Sequence, residues 1–134
     1  MTDTPDADVI ALAGKLFDAA RAGDSATLTA YVDAGAPADL TNDRGDTLLM
    51  LAAYHGHATA VTALLERGAD PNLANDRGQT PLAGAVFKGS DDVLEALLAG
   101  GADPATGTPS AVDTARMFGK EALIARFEGR PEAG

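Results

Sequence analysis

The chain has 134 residues, of which 46% are hydrophobic, so its length suits one domain with a core of its own. It carries 10 Lys and Arg against 20 Asp and Glu, a net charge of −10, which argues against nucleic acid or an anionic membrane as partner. The absence of cysteine excludes disulfides and thiolate metal sites, and no apolar run is long enough to span a membrane. Because the acidic start also lacks the pattern of a secretory signal, we expect a cytoplasmic protein.

The N-terminal part of the chain predicts a flexible segment followed by a pair of helices. Residues 1–8 are polar and acidic, and we expect them to be flexible. From Val9 onward, apolar residues recur at helical spacing up to Gly23, where glycine can take the positive φ that ends a helix. Asp24 can cap the helix that follows. Residues 9–42 are therefore predicted to form a helix, a tight turn, a second helix and a loop.

The middle of the chain consists of two copies of one pattern. Residues 43–75 read DRGDTLLMLAAYHGHATAVTALLERGADPNLAN, and residues 76–107 read DRGQTPLAGAVFKGSDDVLEALLAGGADPATG. The copies start 33 residues apart and share the turn at their start, several alanines and leucines, and Gly-Ala-Asp-Pro near their end. A period of this length is typical of stacked-repeat proteins, in which each unit buries its apolar face on the next.

A glycine between the two helices of each unit extends the pattern to four units. These glycines are Gly23, Gly56, Gly89 and Gly119, at separations of 33, 33 and 30 residues. The predicted units are 9–42, 43–75, 76–107 and 108–127, which together make one domain at 9–127. We expect residues 128–134 to be a flexible tail, because they contain glycine and proline and have no apolar face.

Hydroxyl residues mark the helix starts within the units, and apolar residues mark the core. Thr47, Thr80 and Ser110 can accept hydrogen bonds from the amides of the first turn. The predicted inward positions of units two and three are Leu49, Ala52, Val61, Leu64 and Leu65, and Leu82, Ala85, Leu94, Leu97 and Leu98. Those of unit four are Val112, Ala115, Ile124 and Phe127.

The motifs of the units resemble those of ankyrin repeats: Thr-Pro-Leu at 80–82, Ala-x-x-x-Gly at 85–89, and Gly-Ala-Asp at 68–70 and 101–103. The resemblance covers about residues 9–127. It implies an all-α solenoid of about four helix-turn-helix units, stacked in an arc, with β-hairpin loops that project from it. Ankyrin repeats usually carry a histidine in Thr-Pro-Leu-His, which bridges the loops. This chain has Phe17, Met50, Ala83 and Asp113 at that position, so the bridge is absent.

The resemblance also implies that a partner protein binds the loop tips and the first-helix surface on the concave side. The loop-tip candidates are Asp43, Arg44, Asp46, Asp76, Arg77 and Gln79. The helix-end candidates are Tyr54, His55, Phe87, Lys88, Met117 and Phe118, a set rich in the aromatic residues that anchor interfaces. Two alternatives stay open: Asn-Asp-Arg-Gly is also ordinary turn chemistry, and the rings could pack over neighbouring helices.

The sequence indicates no catalytic, metal or cofactor site. His55 and His57 are the only histidines and flank one turn, so no third ligand of their kind exists. The glycines are accounted for by repeat turns, and no phosphate-binding loop is present. We therefore expect no enzyme, no metal and no cofactor.

The function that fits these observations is a monomeric protein–protein interaction module, an adaptor or regulator that binds its partner on the concave face and loop tips. The acidity of the chain favours a partner with a basic surface, and neither nucleic acid nor membrane is expected. The alternative is a structural or assembly subunit of a larger complex or homo-oligomer, with contacts at the ends of the stack. The sequence cannot name the partner, because repeat folds carry recognition in surface residues.

Overall fold

The computed structural model describes residues 7–129, which fold into consecutive pairs of α-helices. The helices are α1 (Ala7–Ala22), α2 (Ser25–Asp33), α3 (Leu48–Tyr54), α4 (Ala58–Glu66), α5 (Pro81–Lys88), α6 (Asp91–Ala99), α7 (Ala111–Met117) and α8 (Glu121–Phe127). This arrangement confirms the all-α prediction. None of these helices is both long and apolar enough to cross a membrane. Of the two segments predicted to be flexible, residues 1–6 and 130–134 lie outside the described residues.

The first helices of units two, three and four begin at hydroxyl side chains, as predicted. Thr47, Thr80 and Ser110 each accept a hydrogen bond from the backbone N–H three residues later, at 3.0, 3.3 and 3.1 Å. The three capping residues are at most 5% exposed, and they satisfy amides of the first turn that have no partner within the helix. Pro81 occupies the first position of α5, where its missing N–H has no cost.

The first helices form one layer of the stack and the second helices form the other. Helix α3 packs between α1 and α5, and α7 packs on the other side of α5. In the second layer α4 lies between α2 and α6, while each second helix also contacts the first helix of its own unit. Alanine occupies one equivalent position in every first helix, at Ala19, Ala52, Ala85 and Ala115, and none of these is more than 6% exposed. The small side chain lets neighbouring helices approach closely.

Most of the predicted core positions are buried. These are Leu49, Val61, Leu64, Leu82, Leu94, Leu97 and Ile124 in addition to the alanines, whereas Leu65, Leu98, Val112 and Phe127 are half-buried. The start of α1 differs, because Val9 and Ile10 are 56% and 58% exposed. By register Lys15 is equivalent to Leu48, the first residue of α3, so α1 runs about two turns beyond its neighbour. Apolar spacing in those turns therefore does not lead to burial.

The turn between α1 and α2 is fixed by a histidine from the next unit. The Nε2 atom of His57 lies 2.7 Å from the carbonyl oxygen of Arg21, which accepts a hydrogen bond from the ring. Gly23 has a φ of 74°, and a Cβ at this position would come within 2.6 Å of the imidazole. His57 is also the residue that precedes α4. It therefore ties the start of one unit's second helix to the end of the previous unit's first helix.

The loops before α3 and α5 are tight turns built on asparagine. The Oδ1 atom of Asn42 accepts hydrogen bonds from the backbone N–H groups two and four residues later, at 2.9 and 3.0 Å. Asn75 accepts the equivalent pair at 3.0 Å each. An antiparallel bridge between Thr41 and Thr47 closes the first turn. The β-hairpins implied by the family resemblance are thus tight turns, with isolated bridges instead of strands within residues 7–129.

Neighbouring loops are joined to each other by hydrogen bonds. The Asp76 N–H donates to the carbonyl oxygen of Arg44 at 3.0 Å, and the Thr108 N–H donates to that of Gly78 at 2.8 Å. The Nδ2 atom of Asn75 adds a side-chain link to Asp46 Oδ1, at 2.8 Å. The loops are therefore connected although no histidine bridges them.

The contact between Gly23 and His57 predicts unequal effects of one substitution at two equivalent glycines. Gly56→Ala places a side chain at a φ of 80° with nothing within 4 Å, so it should cost about 1–2 kcal/mol of unfolding free energy. Gly23→Ala meets the same backbone strain and also the imidazole of His57, so it should cost more. Urea unfolding of both variants measures the difference. Equal costs would show that the ring does not constrain this turn.

The link between the loops predicts a similar contrast between two asparagines. Each of the variants Asn75→Ala and Asn42→Ala removes the side-chain hydrogen bonds that hold one turn. Asn75→Ala also removes the hydrogen bond to Asp46 in the neighbouring loop. We expect it to cost about 1 kcal/mol more than Asn42→Ala. Hydrogen exchange should show faster exchange of the Asp76 amide in Asn75→Ala than in Asn42→Ala. Unchanged protection of that amide would contradict the link.

Candidate functional site

The ends of α3, α5 and α7 place the helix-end candidates on one surface. The candidates are, in order of the helices, Tyr54 and His55, Phe87 and Lys88, and Met117 and Phe118, and all six are exposed. Each pair stands directly before the glycine of its inter-helix turn. We call this surface, together with the loops before α3 and α5, the groove face, because two adjoining grooves run across it.

The first of these, the apolar groove, is bordered by exposed aromatic and methionine side chains. The rings of Phe87 and Phe118 meet edge to face, with centroids 5.7 Å apart and an interplanar angle of 65°. They are 60% and 50% exposed, and Met117 beside them is 68% exposed. The groove has a volume of about 400 Å³, and its floor includes the buried Ala83 and the half-buried Gly84. No acidic residue lines it.

Tyr54 stands at the boundary of the two grooves and lines both. The Nζ atom of Lys88 lies 4.7 Å from the centroid of its ring, which is a cation–π contact. The imidazole of His55 meets the same ring edge to face at 5.5 Å. The three aromatic candidates therefore form no continuous stack: Phe87 pairs with Phe118, while Tyr54 pairs with a lysine and a histidine.

The second groove, the polar groove, lies between the helix ends and the loop tips. Its volume is about 520 Å³, and charged residues of both signs line it: Arg21, Asp43, Arg44, Asp46, Asp76 and Arg77. Partial desolvation lowers the pKa of His55 in this groove, and the nearby His57, Arg21 and Lys88 lower it further by repulsion. These surroundings favour the neutral form of the His55 imidazole.

The structure divides the loop-tip candidates into two groups. Asp46 and Gln79 both accept hydrogen bonds from Asn75 Nδ2, at 2.8 and 2.9 Å, so these two side chains serve the loops themselves. Asp43, Arg44, Asp76 and Arg77 are exposed, and no ion pair within residues 7–129 involves either arginine. Four of the six predicted loop-tip side chains thus remain directed to solvent.

Sequence reasoning missed the residues that shape the apolar groove from below. Met50 is only 6% exposed and lines both grooves, and Ala83 and Gly84 line the apolar one. At the positions of Ala83 and Gly84, unit two has Met50 and Leu51. This local loss of side-chain volume was visible by comparing the copies, as was a glycine in the middle of a helix.

No group of three or more possible metal ligands occurs in the part of the chain that the structure describes.

Comparisons with known proteins agree with this architecture. The family model described as ankyrin repeats (3 copies) matches residues 16–107. An ankyrin repeat protein of Pseudomonas aeruginosa is 48% identical over 59 residues, which cover 41% of this chain and 34% of that protein. The crystal structure of the human ASB11 ankyrin repeat domain matches with a TM-score of 0.71 and 28% identity, and covers 85% of this chain and 52% of the other. This chain therefore corresponds to only part of each relative. Because the family model matches more than half of the residues, the chain belongs to the ankyrin repeat family.

Proposed function

We propose that this chain is a non-catalytic adaptor or regulator that binds a partner protein on the groove face. Ankyrin repeats are generally protein–protein interaction modules, and the family is typically non-catalytic. We further propose that it acts as a monomer in the cytoplasm. A chain without cysteine has no disulfide that would need an oxidising compartment.

The observation that carries the proposal is the exposed apolar cluster along the apolar groove. The chain has only two tyrosines and four phenylalanines, and three of these rings lie here with exposures of 44%, 60% and 50%. Contiguous exposed apolar side chains on a soluble domain mark interaction surfaces, and aromatic residues dominate binding energy in interfaces. Tyr54, Phe87 and Phe118 are therefore the anchors we assign.

The differences between the copies support the same surface. Ala52 and Ala85, which pack the helices together, are identical in units two and three. Two and three residues later the copies differ, with Tyr54 and His55 in one and Phe87 and Lys88 in the other. A repeat scaffold can carry recognition at positions that differ between its copies, while the packing positions stay the same.

A second candidate function, assembly into a larger complex through the end of the stack, is favoured by one observation. Val9, Ile10 and Leu12 are 56%, 58% and 37% exposed on the first turns of α1, which extend beyond α3. Light scattering over a range of concentrations distinguishes the two functions. We expect a monomer throughout; a concentration-dependent oligomer that Ile10→Asp dissociates would favour assembly.

The proposal predicts that removing the anchors weakens partner binding without unfolding the protein. We expect Tyr54→Ala combined with Phe87→Ala to reduce affinity for proteins captured from the source organism by at least about tenfold, because each ring is an interface anchor. The control is Val9→Ala combined with Ile10→Ala, which removes equally exposed apolar side chains elsewhere. Quantitative mass spectrometry of the captured proteins, with circular dichroism of each variant, measures both effects.

Two results would contradict the proposal. If the Tyr54 and Phe87 double variant unfolds, the rings serve the core and their exposure has another cause. If the Val9 and Ile10 control loses the same captured proteins to the same extent, binding does not depend on the groove face.

A further inference from the structure

The floor of the apolar groove contains a glycine that the fold does not need. Gly84 lies in the middle of α5, where glycine destabilises a helix relative to alanine. Its φ is not in the left-handed region, and a Cβ built on it would meet nothing within 4 Å. The equivalent positions in units two and four hold Leu51 and Thr114, both buried. Neither backbone conformation nor packing within the protein therefore accounts for the glycine.

The consequence of this glycine is an open recess among apolar side chains. Ala83 precedes it, so two adjacent small residues stand where unit two has Met50 and Leu51. Gly84 lines the groove together with the exposed side chains of Phe87 and Met117. A Cβ at Gly84 would therefore extend into the open space of the groove. The mostly apolar lining of the recess suits a bulky apolar side chain from another molecule.

Lys88, like Arg44 and Arg77, is a cation that forms no ion pair within residues 7–129. Arg67, Arg116 and Arg126 form ion pairs with carboxylates. Lys88 forms none within residues 7–129, although acidic residues outnumber basic ones by 20 to 10. Its ammonium group lies over the ring of Tyr54, and that ring lines the apolar groove. A carboxylate of a bound segment could pair with it there, next to the recess.

We propose that the recess over Gly84 binds a bulky aliphatic or aromatic side chain of a protein segment, and that Lys88 pairs with an adjacent Asp or Glu of that segment. This inference rests on the proposed function and names the chemistry of the partner. The overall charge of −10 favours a partner with a basic surface, but that charge acts at long range. At the apolar groove itself no acidic residue is present to attract a basic segment, so we infer an acidic one. The partner segment is acidic and apolar.

The experiment selects binders from a displayed library of random linear peptides and tests them against matched glycine variants. Enriched peptides should combine one bulky apolar residue with a neighbouring Asp or Glu. Gly84→Ala and Gly14→Ala both replace a helical glycine whose Cβ would meet nothing within 4 Å, so both should raise the melting temperature. Only Gly84→Ala should weaken peptide binding, by about tenfold or more, because its methyl group would take space that the bound apolar side chain needs.

The charge of Lys88 is tested with the same peptides. Lys88→Gln should weaken binding by up to about fivefold, the range of an exposed ion pair. Changing the peptide's carboxylate to its amide should have no further effect in that variant, since the pair is already broken.

Each other outcome overturns the inference and leaves the proposed function separately measurable. Enrichment of basic peptides, no enrichment, equal binding to wild type and Gly84→Ala, or a lower melting temperature of Gly84→Ala each contradicts it. If the enriched peptides, or the proteins captured from the source organism where no peptide is enriched, still depend on Tyr54 and Phe87, the groove face binds protein but not in the way proposed. If they do not, the proposed function fails as well.

Discussion

The close approach of the first helices, made possible by one alanine in every unit, is the constraint on which the rest of this structure depends. A single helix pair cannot bury its apolar face, so stability comes from stacking each unit on the next. Ala19, Ala52, Ala85 and Ala115 are buried within that stack, where the first helices pack on each other. A larger side chain at Ala52 or Ala85 would force neighbouring helices apart and would disturb the units on both sides, and one at Ala19 or Ala115 would disturb the one adjoining unit.

This packing also determines which side chains are exposed on the groove face. A residue two positions after a helical alanine lies about 200° around the helix, because each residue turns the chain by about 100°. Tyr54 and Phe87 are two positions after Ala52 and Ala85, so they point away from the packed side and are exposed. The proposed anchors and the packing alanines therefore lie on different faces of the same short helices. Gly84 belongs to neither set of positions. As a glycine within α5 it lowers the intrinsic stability of that helix, and the missing side chain leaves the groove open.

The repeated features of the fold could be predicted from the sequence, because each copy confirms the assignment of the other. The helix caps at Thr47, Thr80 and Ser110 and the buried alanines follow from local pattern and register. The exposure of Ile10 could not be predicted, because it depends on how far α1 extends beyond its neighbour. Local periodicity contains no information about that length.

The candidate site was less predictable, because its contacts cross between units. Asp46 and Gln79 look like free loop tips until Asn75 is seen to reach both of them. The pairing of Phe87 with Phe118, and of Tyr54 with Lys88, joins residues of different helices that no local pattern relates. Sequence reasoning found which residues are exposed at the helix ends, but not how they divide the groove face into an apolar and a polar groove.

The central claim is that the groove face, and the apolar groove in particular, is where the protein binds another polypeptide. The most direct measurement is NMR titration of the isotope-labelled protein with a bound peptide or partner segment. We expect the largest amide shifts at Tyr54, Gly84 and Lys88, with little change in α4 and α6. Shifts concentrated on those second helices, or on the first turns of α1, would contradict it.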